Sequence, residues 1–238
     1  MLNEKRGLLL TVYRAWEKEL REICPQLVCE TYSHPYYLHI PEDWFDRKYR
    51  ILILGEEGFG DKQFDLPIEK AQEFNRDYLA AQWDRNHPEY NKRSPFWRRI
   101  RNIAGLFEPG LVSITWTNLD MIHLSRRGRC QLREAEQIAL HSTPTKILRE
   151  EIHLLQPTHV IWLGWYGISL KMELPEVHAN LYRQNAEGRF SWQDSQFEVV
   201  SYQGIVHVFT YHPSWGQRQK GYEAAVLERI RQVVWPEE

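Results

Sequence analysis

Cysteine is close to absent from this chain: among 238 residues only Cys24, Cys29 and Cys130 carry thiols. A sparse, odd set with no CxxC pair argues against a disulfide framework and against a structural zinc or iron–sulfur cluster. No metal and no cofactor is expected. Long apolar runs are missing as well. The stretch from Leu8 to Tyr13 is short, broken by Thr11 and closed by Arg14, so neither a secretory leader nor a membrane span is expected. Nor is there a surplus of positive charge, since 30 Lys+Arg stand against 32 Asp+Glu for a formal net charge of −2. Bulk charge therefore argues against a nucleic-acid partner, although a local basic groove is enough to hold phosphates. Repeats, linkers and low-complexity segments are absent too. These features suit a single cytoplasmic domain over 1–238, with no membrane partner.

What the chain has in quantity is aromatic side chains, with ten Trp, twelve Tyr and nine Phe. Flat rings fill cores and also stack on bases. Leu9, Val12, Tyr13, Trp16, Leu20 and Ile23 recur at helical spacing, which predicts an amphipathic helix stopped by Pro25. Residues 1–48 then read as a helical extension ahead of a motif-bearing region over 49–222. Tyr49 to Leu54 is a short continuous apolar run entering the glycines Gly55, Gly58 and Gly60, as expected of a strand buried on both faces. Leu111 to Thr117 and Thr158 to Leu163 are similar. Phe197 to Tyr202 and Ile205 to Thr210 flank Gln203-Gly204 and predict a hairpin. Ser94-Pro95 is an N-cap and first-turn pair for a helix over Phe96 to Leu106. Thr143-Pro144 does the same ahead of Ile147 to Leu155, and a last helix carries Val226, Ile230 and Val233. Strands alternating with helices predict an α/β fold, three-layer α/β/α, with a mainly parallel central sheet.

In such sheets ligands bind beyond the carboxyl ends of the strands. The polar residues expected there are Glu56 and Glu57, Asn118 and His212. Acid, amide and imidazole together suit cleavage of an N-glycosidic bond. A carboxylate can stabilise a cationic sugar and orient water, imidazole can donate to a carbonyl oxygen of the departing base, and an amide can read a base edge. Each residue also has a plainer reading. The carboxylates could cap the segment that follows, Asn118 could be a strand-end turn residue, and His212 could be a hydrogen-bonded loop histidine. A nucleotide-binding loop at the glycines fits less well, because the spacing is GxxGxG and two carboxylates would repel a pyrophosphate.

The segments ILILGEEGFG, ITWTNL and FTYHPSWG, in this order and each at a predicted strand end, resemble the uracil-DNA glycosylase superfamily. SPFWRRI and LLQPTHVIWLG look like its connecting segments, so the likeness spans roughly 49–222. The resemblance implies a uracil-DNA glycosylase-like fold and a monomeric, monofunctional enzyme that flips a base out of DNA, duplex or single-stranded, and hydrolyses its bond to the sugar. By position it makes Glu57, or its neighbour Glu56, the group that handles the attacking water, and His212 the group at the leaving base. Asn118 becomes the reader of the base. Pro213 and Ser214 fall in a loop that grips the DNA backbone, and Ser94 matches a serine that contacts phosphate. Phe59 and Phe64 are candidates to stack on the base or to fill the core. Trp215 is either core or a wedge into the duplex, with Arg218 and Lys220 beside it. The basic groups Lys92-Arg93, Arg98-Arg99-Arg101 and Arg126-Arg127-Arg129 suit a phosphate track or a solvated face.

The first motif departs from the superfamily pattern. Glu57-Gly58 stands where Asp-Pro or Asn-Pro is common, and Phe59 is left between two glycines, free to swing. That loop admits a base larger than uracil. The expected substrate is a 5-substituted cytosine such as glucosylated hydroxymethylcytosine, in anti-phage defence. The alternatives are uracil in base-excision repair and a catalytically idle relative that only senses DNA.

Overall fold

The computed structural model of the chain describes residues 1–23, 36–57, 67–108, 110–120, 146–164, 197–216 and 221–234. Tyr49–Glu57 (β1), Val112–Asp120 (β2), His159–Leu163 (β3), Phe197–Tyr202 (β4) and Ile205–Thr210 (β5) form one sheet in the spatial order β2-β1-β3-β5-β4. The pairs β1–β2, β1–β3 and β3–β5 are parallel, and only the edge strand β4 runs antiparallel to its neighbour β5. Gln203 and Gly204 turn the β4–β5 hairpin with φ of 51° and 77°, the two left-handed positions of a tight hairpin turn. Ile51 to Leu54 and Val160 to Leu163 are all fully buried. Both faces of these strands are covered, which is why their sequences run apolar without alternation.

The covering helices are Leu2–Ile23 (α1), Ile68–Ala81 (α2), Pro95–Ala104 (α3), 146–155 (α4) and Tyr222–Val234 (α5). Side chains alternate across a strand, so Trp116 and Asn118 of β2 share one face and Thr115 and Thr117 the other. On the first face Trp116 meets Tyr78 of α2 at 6.0 Å and Trp97 of α3 at 4.8 Å between ring centroids. On the second face Glu151 of α4 and Tyr13 of α1 close over Thr117. The fold is therefore a three-layer α/β/α domain with a mainly parallel sheet. Among the described residues, no helix is long and apolar enough to cross a membrane.

The apolar stripe of the N-terminal helix packs into the core of the sheet, with Leu9, Tyr13 and Leu20 fully buried. Segment 36–48 follows it down, with Trp44 Nε1 donating to the Leu155 carbonyl at 2.8 Å. Helix α2, which the hydrophobic pattern did not announce, buries Ile68, Ala71 and Leu79. Its repeat is interrupted by Asn75, a buried amide that donates to the Tyr37 carbonyl at 2.7 Å. A polar residue at a core position hides the apolar period.

The second face carries a buried acid. Glu151 is fully buried, with Oε1 accepting from the Tyr13 hydroxyl. That hydroxyl oxygen in turn accepts from the Leu38 backbone N–H at 3.0 Å. The Thr117 hydroxyl is near enough to favour the charged acid slightly but falls short of a formed hydrogen bond, so Glu151 Oε2 and Thr117 Oγ1 stay buried and unpartnered. Burial dominates and pushes the Glu151 pKa up to about 8. At neutral pH the native state thus holds the proton that the unfolded chain releases near its ordinary value. Stability is full below that value and falls as pH rises toward 8. Glu151→Gln removes this slope, so the variant should lose stability relative to wild type at pH 5 and overtake it at pH 9. Denaturant melts at the two pH values check the crossing; parallel curves would mean that Glu151 is paired and charged throughout.

Candidate active site

The β1-to-β2 crossover runs through α2 and α3 on one face, and the β2-to-β3 crossover through α4 on the other. With β2 and β3 on opposite sides of β1, the chain reverses at β1, which opens a crevice beyond the carboxyl ends of the strands. Gly55, Asn118, Gly164 and the segment from Thr210 to His212 lie at those ends.

Gly55 and Asn118 are register partners in the parallel β1–β2 pair. The Asn118 side chain occupies the space a Gly55 side chain would need, because a Cβ built on Gly55 would lie 2.4 Å from Asn118 Oδ1. The same Cβ would meet the ring of Phe96 at 3.2 Å. Glycine here leaves room for the close approach of these two side chains. The Asn118 amide lies across the β1 backbone with an aromatic ring beside it, and none of the described residues makes a hydrogen bond to that amide. A largely buried amide left open for partners is suited to reading an edge with one donor and one acceptor.

His212 joins this group from the other side of the crevice. Its ring is nearly parallel to Phe96, with an interplanar angle of 16° and centroids 6.4 Å apart. Nδ1 accepts the Ser214 backbone N–H at 3.3 Å and lies 2.6 Å from the Ser214 hydroxyl. A backbone N–H can only donate, so Nδ1 carries the lone pair and the neutral ring carries its proton on Nε2. Burial, and then the charge of Arg99, hold the His212 pKa below the ordinary histidine value. The imidazole is thus a neutral Nε2–H donor near pH 7.

The turn that presents His212 is built from Pro213–Gly216, a single helical turn, and from an ion pair whose cation is buried. Arg99 of α3 is fully buried, and its Nε and Nη2 grip the Glu223 carboxylate of α5. Its Nη1 donates to the Tyr211 carbonyl at 2.8 Å.

The other residues singled out in the sequence divide as follows. Glu56 and Glu57 close β1, and the two-residue repeat of a strand puts position 57 on the face of Gly55 and Asn118 and position 56 on the opposite face. Their side chains, and that of Trp215, lie outside what is described, as do Phe59, Phe64, Arg218 and Lys220 altogether. Ser94 caps α3, its hydroxyl oxygen accepting the Trp97 N–H at 3.3 Å. Pro213 is buried and Ser214 exposed. Arg99 leaves the expected phosphate track because it is sealed inside the protein. Arg101 is also committed, with its guanidinium 4.4 Å above the Tyr90 ring and bonded to the Gln82 and Asn91 carbonyls. Lys92, Arg93 and Arg98 remain exposed beside the α3 N-terminus. Among the described residues, no cluster of His, Cys, Asp and Glu could hold a metal ion.

Phe96 and Arg99 were missed as site residues, yet the signal was present. Phe96, Arg99, Ile100 and Ile103 follow the i, i+3, i+4, i+7 repeat of a buried helix face, and an arginine inside that repeat marks a buried charge needing a partner. No family model matches this chain, and no curated protein matches it.

Gly55→Ala tests the close approach. The fold should survive, because the side chain that must move is a short one. Displacing the Asn118 amide should cost ~10²-fold in any reaction that depends on it. The double variant Gly55→Ala/Asn118→Ala should be no slower than Asn118→Ala alone. Additive losses in single-turnover assays would separate the two residues.

Proposed function

We propose that this chain is a monomeric, monofunctional DNA glycosylase of the uracil-DNA glycosylase type, hydrolysing the N-glycosidic bond of a flipped-out pyrimidine to leave an abasic site. The observation that carries this reading is the convergence of the Asn118 amide, the Phe96 ring and the neutral His212 imidazole at the carboxyl end of the sheet. The flipped base stacks on Phe96 while Asn118 reads its edge. As the bond to the sugar breaks, negative charge grows on the base, and the His212 Nε2–H donates to the carbonyl oxygen that gathers it. The sugar becomes cationic, and Glu57, on the Asn118 face by position, stabilises it and orients the water, with Glu56 as the second candidate. The motif segments contain no lysine that could form a Schiff base, so the strand stays intact.

Two features of the first loop favour a bulky base. Proline is absent after Glu57, and Phe59 stands between Gly58 and Gly60. The substrate we propose is a 5-substituted cytosine, with glucosylated hydroxymethylcytosine of phage DNA as the leading instance.

Matched duplexes carrying uracil, hydroxymethylcytosine or its glucosylated form, followed by mass spectrometry of released bases, test both levels. Free modified base should appear faster than uracil, with no borohydride-trapped adduct. His212→Ala should lower the single-turnover rate by ~10² or more. Faster release of uracil would transfer the chain to base-excision repair. Tight binding without release from any duplex would make it a sensor and overturn the enzymatic reading.

A further inference from the structure

The backbone polar groups of Tyr211, the residue just before His212, are both held by side chains. The Tyr211 N–H donates to the Tyr222 hydroxyl oxygen at 3.1 Å, and its carbonyl accepts from Arg99 Nη1 at 2.8 Å. The chain has just left β5 at Thr210, so the direction in which it departs depends on these two contacts. Arg99 Nη1 also reaches Thr210 Oγ1 at 3.4 Å, while that hydroxyl donates to the Trp162 carbonyl at 3.0 Å. The guanidinium lies 5.4 Å from the centre of the Tyr222 ring. One arginine therefore ties α3, the end of β5 and the start of α5 into a single corner.

A fully buried guanidinium is costly, and an apolar pair of similar shape often serves stability as well or better. Arg99 is moreover three residues along α3 from Phe96, the ring that faces His212. The geometry points to Arg99, with Glu223 as its counter-ion and Tyr222 as its second anchor, as the positioning residue that aims His212 at the substrate. This deepens the glycosylase reading given above and rests on it for the reaction, though not for the behaviour of the imidazole itself.

Among the described residues, the charged and titratable groups around the corner come from three elements and the strand ends. Helix α3 brings Arg99, α5 brings Glu223 and Tyr222, and the departing chain brings Tyr211. The sheet ends in Glu56, Glu57 and Asp120 on the neighbouring strands. Arg99 is fully buried, whereas the Glu223 side chain is 30% exposed. The cation is thus the less screened partner, and it disfavours a second positive charge on His212. Glu223 works in the opposite sense by partly neutralising Arg99.

Opposite signs give the test. Imidazole nitrogen NMR of the ligand-free protein reads both the tautomer and the titration midpoint of His212. Wild type should show the Nε2–H tautomer and a midpoint below ~6.5. Glu223→Gln strips the counter-ion and should lower the midpoint further. Arg99→Met removes the cation, leaves a carboxylate, and should raise it. Tyr222→Phe changes no charge, so its midpoint should stay at the wild-type value. Single-turnover base release in that variant should slow ~10-fold or more while DNA affinity is held, because only the aim of His212 is lost. Thermal melts identify any variant that fails to fold; if Arg99→Met does so, Glu223→Gln and Tyr222→Phe carry the test. Midpoints that move the same way in both charge variants, or a Glu223→Gln midpoint that stays put, would reduce Arg99 to a structural ion pair. The NMR outcome stands even if no DNA substrate is cleaved, so its failure and that of the glycosylase reading are separable.

Discussion

The architecture of the crevice depends on one close approach, that of the Asn118 amide to the backbone of Gly55. Two parallel strands ordinarily keep their side chains standing away from the sheet. Here the absence of a Cβ lets a neighbouring amide lie over β1 and lets Phe96 come in beside it. Buried polar groups normally find partners inside the protein. Among the described residues no hydrogen bond to the Asn118 amide is found, and the proposal is that a ligand supplies it. The cost of ordering the amide is met during folding, so it need not be met at each encounter.

Helix α3 supplies the second half of that arrangement. Its buried face carries Trp97, Ile100 and Ile103 into the core, which fixes the helix against β2. With the helix fixed, Phe96 at its start faces the crevice and Arg99 one turn later reaches the corner behind His212. Stability and site geometry thus share the same ten-residue helix. A core substitution such as one at Trp97 would be felt at the imidazole without touching it. The second face of the sheet has its own polar investment in Glu151, whose raised pKa comes from burial.

How much of this was legible in the sequence follows from what kind of information each feature needs. The strands could be read from continuous apolar runs, and the β4–β5 hairpin from Gln203-Gly204, because those signals are local. Ser94-Pro95 announced the start of α3 for the same reason. Asn118 is legible as a strand-end residue, and pairing with β1 carries the strand two residues further, to Asp120. Helix α2, and what covers the apolar stripe of α1, are not legible in the sequence. Asn75 breaks the period of one, and burial of the other depends on segment 36–48, which is distant in sequence. The buried repeat that carries Phe96 and Arg99 is legible in the sequence, but their roles needed the third dimension. Their partners are Gly55, His212, Tyr211 and Glu223, and no spacing rule connects these positions.

On the proposed function, a single planar base is held between Asn118, Phe96 and His212. A crystal structure with an oligonucleotide whose target nucleotide is 2′-fluorinated, and so resists hydrolysis, tests it most directly. The base should be found rotated out of the helix, its face against the Phe96 ring, its edge on the Asn118 amide, and a carbonyl oxygen within hydrogen-bond reach of His212 Nε2. A base that stays stacked in the duplex, or one seated away from Gly55, would contradict it.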